Sequence, residues 1–312
     1  MPAVAAGARA AEASFYWHLG DFRAIYDFDQ DLVAARRDVA RPLTISDYLR
    51  TAWDDFIESQ LSPFGSIPVY LAIGNHELVS PKTRADYLIQ FADWLTVPSL
   101  VRQRLADDPK DHRLKTYYHW IQNGVDFVTL DNASPEQFDA EQIGWFERIV
   151  KRDTADPAVR AIVVGMHASL PDSRAPGHSM SDTAQAELSG HRVYADLLQA
   201  KAAGKKVYVL SSHSHFYMAN LFDTSYWRAH GGVLPGWIIG TTGAVRYPLP
   251  AAVAEGETAR TNIYGYLLAT VAPDRSIGFE FREIRRADIP PETVTRYSAP
   301  FVDQCFEGNR QP

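Results

Sequence analysis

Asn75, His76 and Glu77 arrive together at the end of VYLAIGNHEL, so an amide, an imidazole and a carboxylate follow directly on an apolar run. Gly and Asn also make ordinary turns, and a single such exit decides nothing. Other apolar runs of this chain end alike. FYWHL leads into Gly20-Asp21, FVTL into Asp131-Asn132, AIVVGM into His167, and VYVLSS into His213-Ser214-His215. In open α/β sheets, ligand sites form beyond the carboxyl ends of the strands. These exits supply oxygen and nitrogen donors without thiolates, a set that suits Zn, Mn, Fe or Co. His213 and His215 are two apart, so on extended chain both imidazoles face one centre. Asn75 and His76 are adjacent and should point apart, one to metal and the other to substrate.

The elements that must position these residues are legible as alternating runs. Strands are expected at 15–19, 69–73, 125–130, 161–164, 207–210 and 237–240. A helix over 46–61 has Ser46 as a cap and places Tyr48, Leu49, Ala52, Trp53, Phe56 and Ile57 on one stripe. Residues 84–106 read as helix interrupted near Pro98. Residues 139–152 read as helix with Asp139 and Gln142 spaced as a capping box, and 191–204 as helix closed by Gly204. Runs 263–272 and 277–284 flank Pro273-Asp274 as a hairpin. Strand–helix alternation without a linker predicts one α/β domain over 1–286, followed by an irregular tail over 287–312.

Composition excludes several classes. The 312 residues are 46% hydrophobic and 22% charged, with a net charge of −7. That balance disfavours binding to nucleic-acid duplexes, which needs clustered Lys and Arg. No apolar run is long enough to cross a bilayer. The single Cys305 excludes an intrachain disulfide and a cysteine-rich metal site. The Ala-rich N-terminus lacks a basic region before its apolar part and is a poor signal peptide. The default expectation is a cytoplasmic protein, with export compatible with a truncated N-terminus.

Gly20-Asp21, Gly74-Asn75-His76-Glu77, Gly165-Met166-His167 and Ser212-His213-Ser214-His215 resemble, in order and strand context, the motifs of the calcineurin-like metallophosphoesterase superfamily. The resemblance covers residues from about 15 to 285. It implies a four-layer α/β/β/α sandwich of two mixed sheets, with a two-metal centre at the strand ends. Carried over, Asp21 resembles the carboxylate that bridges both metals. Asn75, His167 and His213 resemble ligands of one metal, and His215 a ligand of the other. His76 resembles the histidine that meets the leaving group. The implied reaction is hydrolysis of a phosphate mono- or diester, or a nucleotide, by metal-activated water with His76 as general acid.

The chain departs from the pattern in lacking the opening D-x-H strand, so the expected fold has its first strand missing. A truncated N-terminus is the favoured reading; the alternative is a non-catalytic scaffold with an incomplete second metal site. Ser212 stands where the family usually has Gly. Ala24 and Ile25 do not match the Asp and Arg of the Ser/Thr phosphatases, nor Ala24 the Tyr of purple acid phosphatases. Asp131-Asn132 read as turn and cap residues and His18 as a packed core histidine; Arg23 and Arg246 could reach a phosphate, with charged surface the commoner reading. His112, His119, His178, His191 and His230 read as surface or local hydrogen-bonding residues.

Overall fold

The computed structural model describes residues 1–23, 45–134, 137–274 and 276–310. Ala24, Ile25 and the Ser46 side chain lie outside the described residues. The strands are β1 (Tyr16–Leu19), β2 (Val69–Ala72), β3 (Tyr118–Gln122), β4 (Val125–Thr129), β5 (Ala161–Met166), β6 (Lys206–Ser211), β7 (Tyr217–Ala219), β8 (Gly236–Ile239), β9 (Ala259–Arg260), β10 (Tyr264–Val271) and β11 (Ile277–Ile284).

Side chains alternate across a strand, and that alternation builds the layers. Along β5, Ile162, Val164 and Met166 enter one apolar cluster while Ala161 and Val163 enter another. β6 divides Val207 and Val209 from Tyr208 and Leu210 in the same way. β2 sends Val69 and Leu71 to a third cluster and Tyr70 back to the second. The first cluster joins the large sheet to the helices Ala140–Ala155 and Ala184–Ala202 through Phe146, Val150, Tyr194 and Leu197. The second lies between the two β layers and holds Tyr70, Trp120, Phe127 and Ile277. The third packs Trp53, Phe56, Tyr87 and Phe91 on the outer face of β2. Three clusters separate four layers, which is the α/β/β/α order.

The large sheet runs β3-β4-β5-β6-β8-β7-β9. Its centre, β4-β5-β6-β8, is parallel, and antiparallel partners flank it. The second β layer is the parallel pair β1–β2 and the antiparallel hairpin β10–β11. Among the described residues these are separate ladders rather than one continuous mixed sheet. Gly165, just before His167, is required by the packing between the layers: a Cβ there would run into the Trp17 ring.

Several local expectations are corrected. Asp139 caps its helix through Gln142 N–H, but the Gln142 side chain does not reciprocate. Its amide instead exchanges two bonds with the backbone of Asp131. The helix expected from 191 begins at Ala184, because Thr183 caps it and accepts from Ala186 N–H. The described part of the expected irregular tail, residues 287–310, is largely helical. Helices Pro291–Tyr297 and Ala299–Glu307 form there. Their prolines sit in the first turn, where a missing N–H costs nothing. No helix among the described residues is long and apolar enough to cross a membrane.

Candidate metal centre

The exits of β1, β2, β5 and β6 meet at one rim. Gly20 is left-handed (φ 94°), and a Cβ on it would strike the Gly74 backbone; a Cβ on Gly74 would strike Asp21. The two glycines let the two exit loops touch. Glu77 then binds the loops together. It is fully buried, and its carboxylate accepts from the N–H groups of Asp21, Phe22 and Gly74, each at 2.8 Å. Burial, then the charge of Asp21, push Glu77 upward to about 8, while the three N–H donors oppose that rise.

His167 Nε2 is the hub. It lies 3.0 Å from Asn75 Oδ1, 2.9 Å from His213 Nδ1 and 3.1 Å from Asp21 Oδ2. Its Nδ1–H donates to the Leu19 carbonyl at 2.9 Å, which leaves Nε2 as the inward atom. Ser212, where glycine is usual, places its hydroxyl on that same carbonyl at 2.8 Å. His213 Nδ1 and Asp21 Oδ2 are 4.0 Å apart. Donors about 2.1 Å from one ion at right angles stand about 3 Å apart, and opposite donors about 4 Å. The observed spacings fit one shared cation. Asp21 (φ 59°) and His213 (φ 57°) both adopt left-handed backbone, costing about 1–2 kcal/mol each. Such conformations cluster at functional sites.

Charge is balanced around the carboxylate. Burial works to raise Asp21, but His167, His76 and His213 outweigh it and hold the carboxyl below the usual range. Burial works to lower His167, and Asp21 together with the Leu19 carbonyl raises it. His76 is lowered by burial against the pull of Asp21.

The remaining site residues lie differently from expectation. Asn75–Leu78 is a 3₁₀ turn rather than extended chain, so Asn75 and His76 diverge by about 120°, and both still reach the Asp21–His167 pair. Asn75 meets His167, while His76 donates its backbone N–H to Asp21 Oδ1 at 3.0 Å and holds Nε2 3.9 Å from Oδ2. The extended-chain argument for His213 and His215 fails, since β6 ends at Ser211 and His213 is left-handed. His215 turns away. Its Nδ1–H donates to the Val245 carbonyl at 2.7 Å, and its ring stacks on Tyr247 at 4.1 Å. Burial lowers it to about 4.

Some positioning residues escaped sequence reasoning. Asn132, fully buried, exchanges two bonds with the backbone of Ala168, next to His167. Asp131 accepts a bidentate pair from Arg84 at 2.8 and 3.0 Å. Asp131 also shapes the expected turn, accepting from Ala133 N–H at 3.1 Å, so the pair Asp131-Asn132 both turns the chain and links loops. His178 is exposed, yet its ring packs at 5.0 Å on His213 and at 5.3 Å on Tyr247, at the rim of the site. Arg23 is taken up by Asp55 and Ser59. His18 is half-buried rather than fully in the core; its ring packs edge-on against Phe22 and Phe56, and its Nδ1 accepts from Gly20 N–H at 3.2 Å. A second cluster, Asp172, Glu187 and His191, closes at the surface; there His191 already pairs with Asp172 at 2.6 Å, and Glu187 is exposed.

A family model described as calcineurin-like phosphoesterase matches residues 4–217. The fold is similar to that of purple acid phosphatase PPD1 from yellow lupin (Lupinus luteus) seeds, at 17% identity and a TM-score of 0.55. That match covers 90% of this chain and 46% of the lupin chain, so the chain spans about half the length of that relative. A match to an enoyl-CoA hydratase/isomerase family protein from Silicibacter pomeroyi has 14% identity, a TM-score of 0.19 and coverage of 31% of this chain and 42% of that one, and carries no argument. No curated protein matches the sequence.

Proposed function

The chain belongs to the calcineurin-like phosphoesterase family, and from that premise we propose that it is a metal-dependent hydrolase of phosphate mono- or diesters. The observation that carries this reading is the convergence of Asp21, Asn75 and His213 on His167 Nε2 at the spacing of one ion's ligands. These four residues would hold one cation. Asp21 and His215 would contribute to a second. A bound divalent cation would supply Lewis acidity toward the phosphoryl oxygens and lower the pKa of water.

The chain's own residues do the rest. Glu77 fixes the two exit loops so that Asp21 and Asn75 need no reorganisation when substrate arrives. His76 stands beside Asp21, held by its own backbone N–H on the carboxylate. Its imidazole protonates the departing ester oxygen, a role worth about 10²–10⁴-fold. The phosphoryl charge of the substrate favours the protonated form that burial otherwise disfavours. His178 and Tyr247 form the rim on the His213 side.

The test is hydrolysis of nitrophenyl phosphate and bis(nitrophenyl) phosphate by protein supplied with Mn, Zn, Co or Fe. Hydrolysis of either, abolished by a chelator and restored by metal, is the expected result. Folded protein that binds metal but turns over neither ester would overturn the reading.

A further inference from the structure

His215 is held from one side by two residues, Val245 and Tyr247. Val245 accepts its Nδ1–H at 2.7 Å, Tyr247 stacks on its ring at 4.1 Å, and Tyr247 N–H donates to its carbonyl at 3.2 Å. Between them lies Arg246, 4% exposed. It is not charged surface, and its guanidinium is taken up by backbone carbonyls. Nε donates to Asn309 O at 2.9 Å, Nη1 to Asn262 O at 2.9 Å, and Nη2 to Phe306 O at 2.9 Å and Cys305 O at 3.3 Å. Its backbone N–H reaches Asn309 O at 3.2 Å, and the guanidinium packs over the Tyr264 ring at 4.8 Å.

Two of those acceptors, Cys305 and Phe306, are last-turn carbonyls of the helix Ala299–Glu307. Terminal helix carbonyls lack intrahelical donors, and a cation there is favoured by the helix dipole. The fork of Arg246 therefore fastens the C-terminal helix to the tripeptide that aims His215. A buried guanidinium with several carbonyl acceptors has a single low-energy placement.

We propose that Arg246 is a positioning residue for His215: by clamping residues 305–309 it fixes the 245–247 backbone, and through it the orientation of His215 Nε2 toward the second cation. The inference rests on the reading of His215 as a ligand. It makes the segment 299–310, which lies beyond the family-matched residues, a working part of the site.

The test separates ring position from metal binding. Imidazole nitrogen NMR of metal-free protein reports the tautomer and hydrogen bond of each histidine. In Arg246→Met the His215 signals should lose their fixed Nδ1–H signature while those of His167 keep theirs. Co(II) titration of the same variant should weaken the second equivalent by about 10–100-fold, the usual effect of losing a ligand's outer support, and leave the first unchanged. Arg246→Lys keeps the cation but cannot reach every carbonyl, so it should fall between Met and wild type, and it serves if Arg246→Met does not fold. Unmoved His215 signals in a folded variant would overturn the proposal. Moved signals with both Co(II) equivalents intact would support the positioning role and remove His215 from the ligands.

Discussion

His167 and His213 stand 2.9 Å apart, Nε2 to Nδ1. The Leu19 carbonyl takes the Nδ1 proton of His167, so two nitrogens face each other with Asp21 Oδ2 3.1 Å from the first. Without a cation, a proton must sit between them. A metal ion held by these residues would take its place and remove the competition.

Metal content follows directly. Purified protein should retain about one transition-metal ion per chain after dialysis, because Asp21, Asn75, His167 and His213 form a nearly complete set. His213→Ala should lose it. His230→Ala, whose ring stacks on Tyr226 at 4.1 Å, should keep it. His178 is unsuitable as that control because it touches His213. Elemental analysis decides, and equal metal in both variants would break the site assignment.

His76→Asn should keep the metal and lose rate according to the leaving group. Alkyl phosphates need a proton as the alkoxide departs, so their hydrolysis should fall by about 10²–10⁴-fold. Nitrophenolate departs nearly unaided and should suffer far less. Equal losses on both esters would make His76 a positioning residue.

Glu77→Gln changes little volume but replaces an acceptor oxygen by an NH₂ group. One or more of the three N–H donors then faces another donor. Such a loss costs about 1–3 kcal/mol per unsatisfied group. Urea unfolding of metal-free protein should show it; unchanged stability would mean that Glu77 does not bind the loops together.

Stability should also fall on the alkaline side through His119. Burial works to lower this imidazole, but Asp126 and Asp107 raise it to about 9. Its folded pKa lies above the unfolded 6.5, so its stabilising contribution is complete below that value and is lost as pH rises through about 9. The linkage amounts to at most about 3 kcal/mol. His119→Gln should flatten the slope between pH 6.5 and pH 9 in urea unfolding, and an unchanged slope would assign the titration to another group.

The strand exits were legible because each couples an apolar run to a turn and a ligand type, and both signals are local. Asn132 and Gln142 were not, since their amides satisfy backbone groups far away in sequence. The orientation argument for His215 failed because one left-handed residue, His213, breaks the two-residue period on which it rested. β3 was missed although Asn123-Gly124, left-handed at φ 53° and 74°, is a strong hairpin signal between it and β4. The C-terminal helices were missed because a composition rich in Pro and polar residues does not show that its prolines sit in first helical turns.

Ser212 meets the Leu19 carbonyl across 193 positions of sequence. The consequence is kinetic. Local hairpins and helices can form early, but contacts of such separation carry the full entropy of loop closure. The cation-binding constellation therefore cannot exist until the β1–β2 pair and the β5–β6 edge have docked. During synthesis it must wait for the Ser212–His215 turn to emerge. In refolding, tryptophan burial should precede the visible absorption of bound Co(II); on that order an ion would act as a latch on a completed fold rather than as its nucleus.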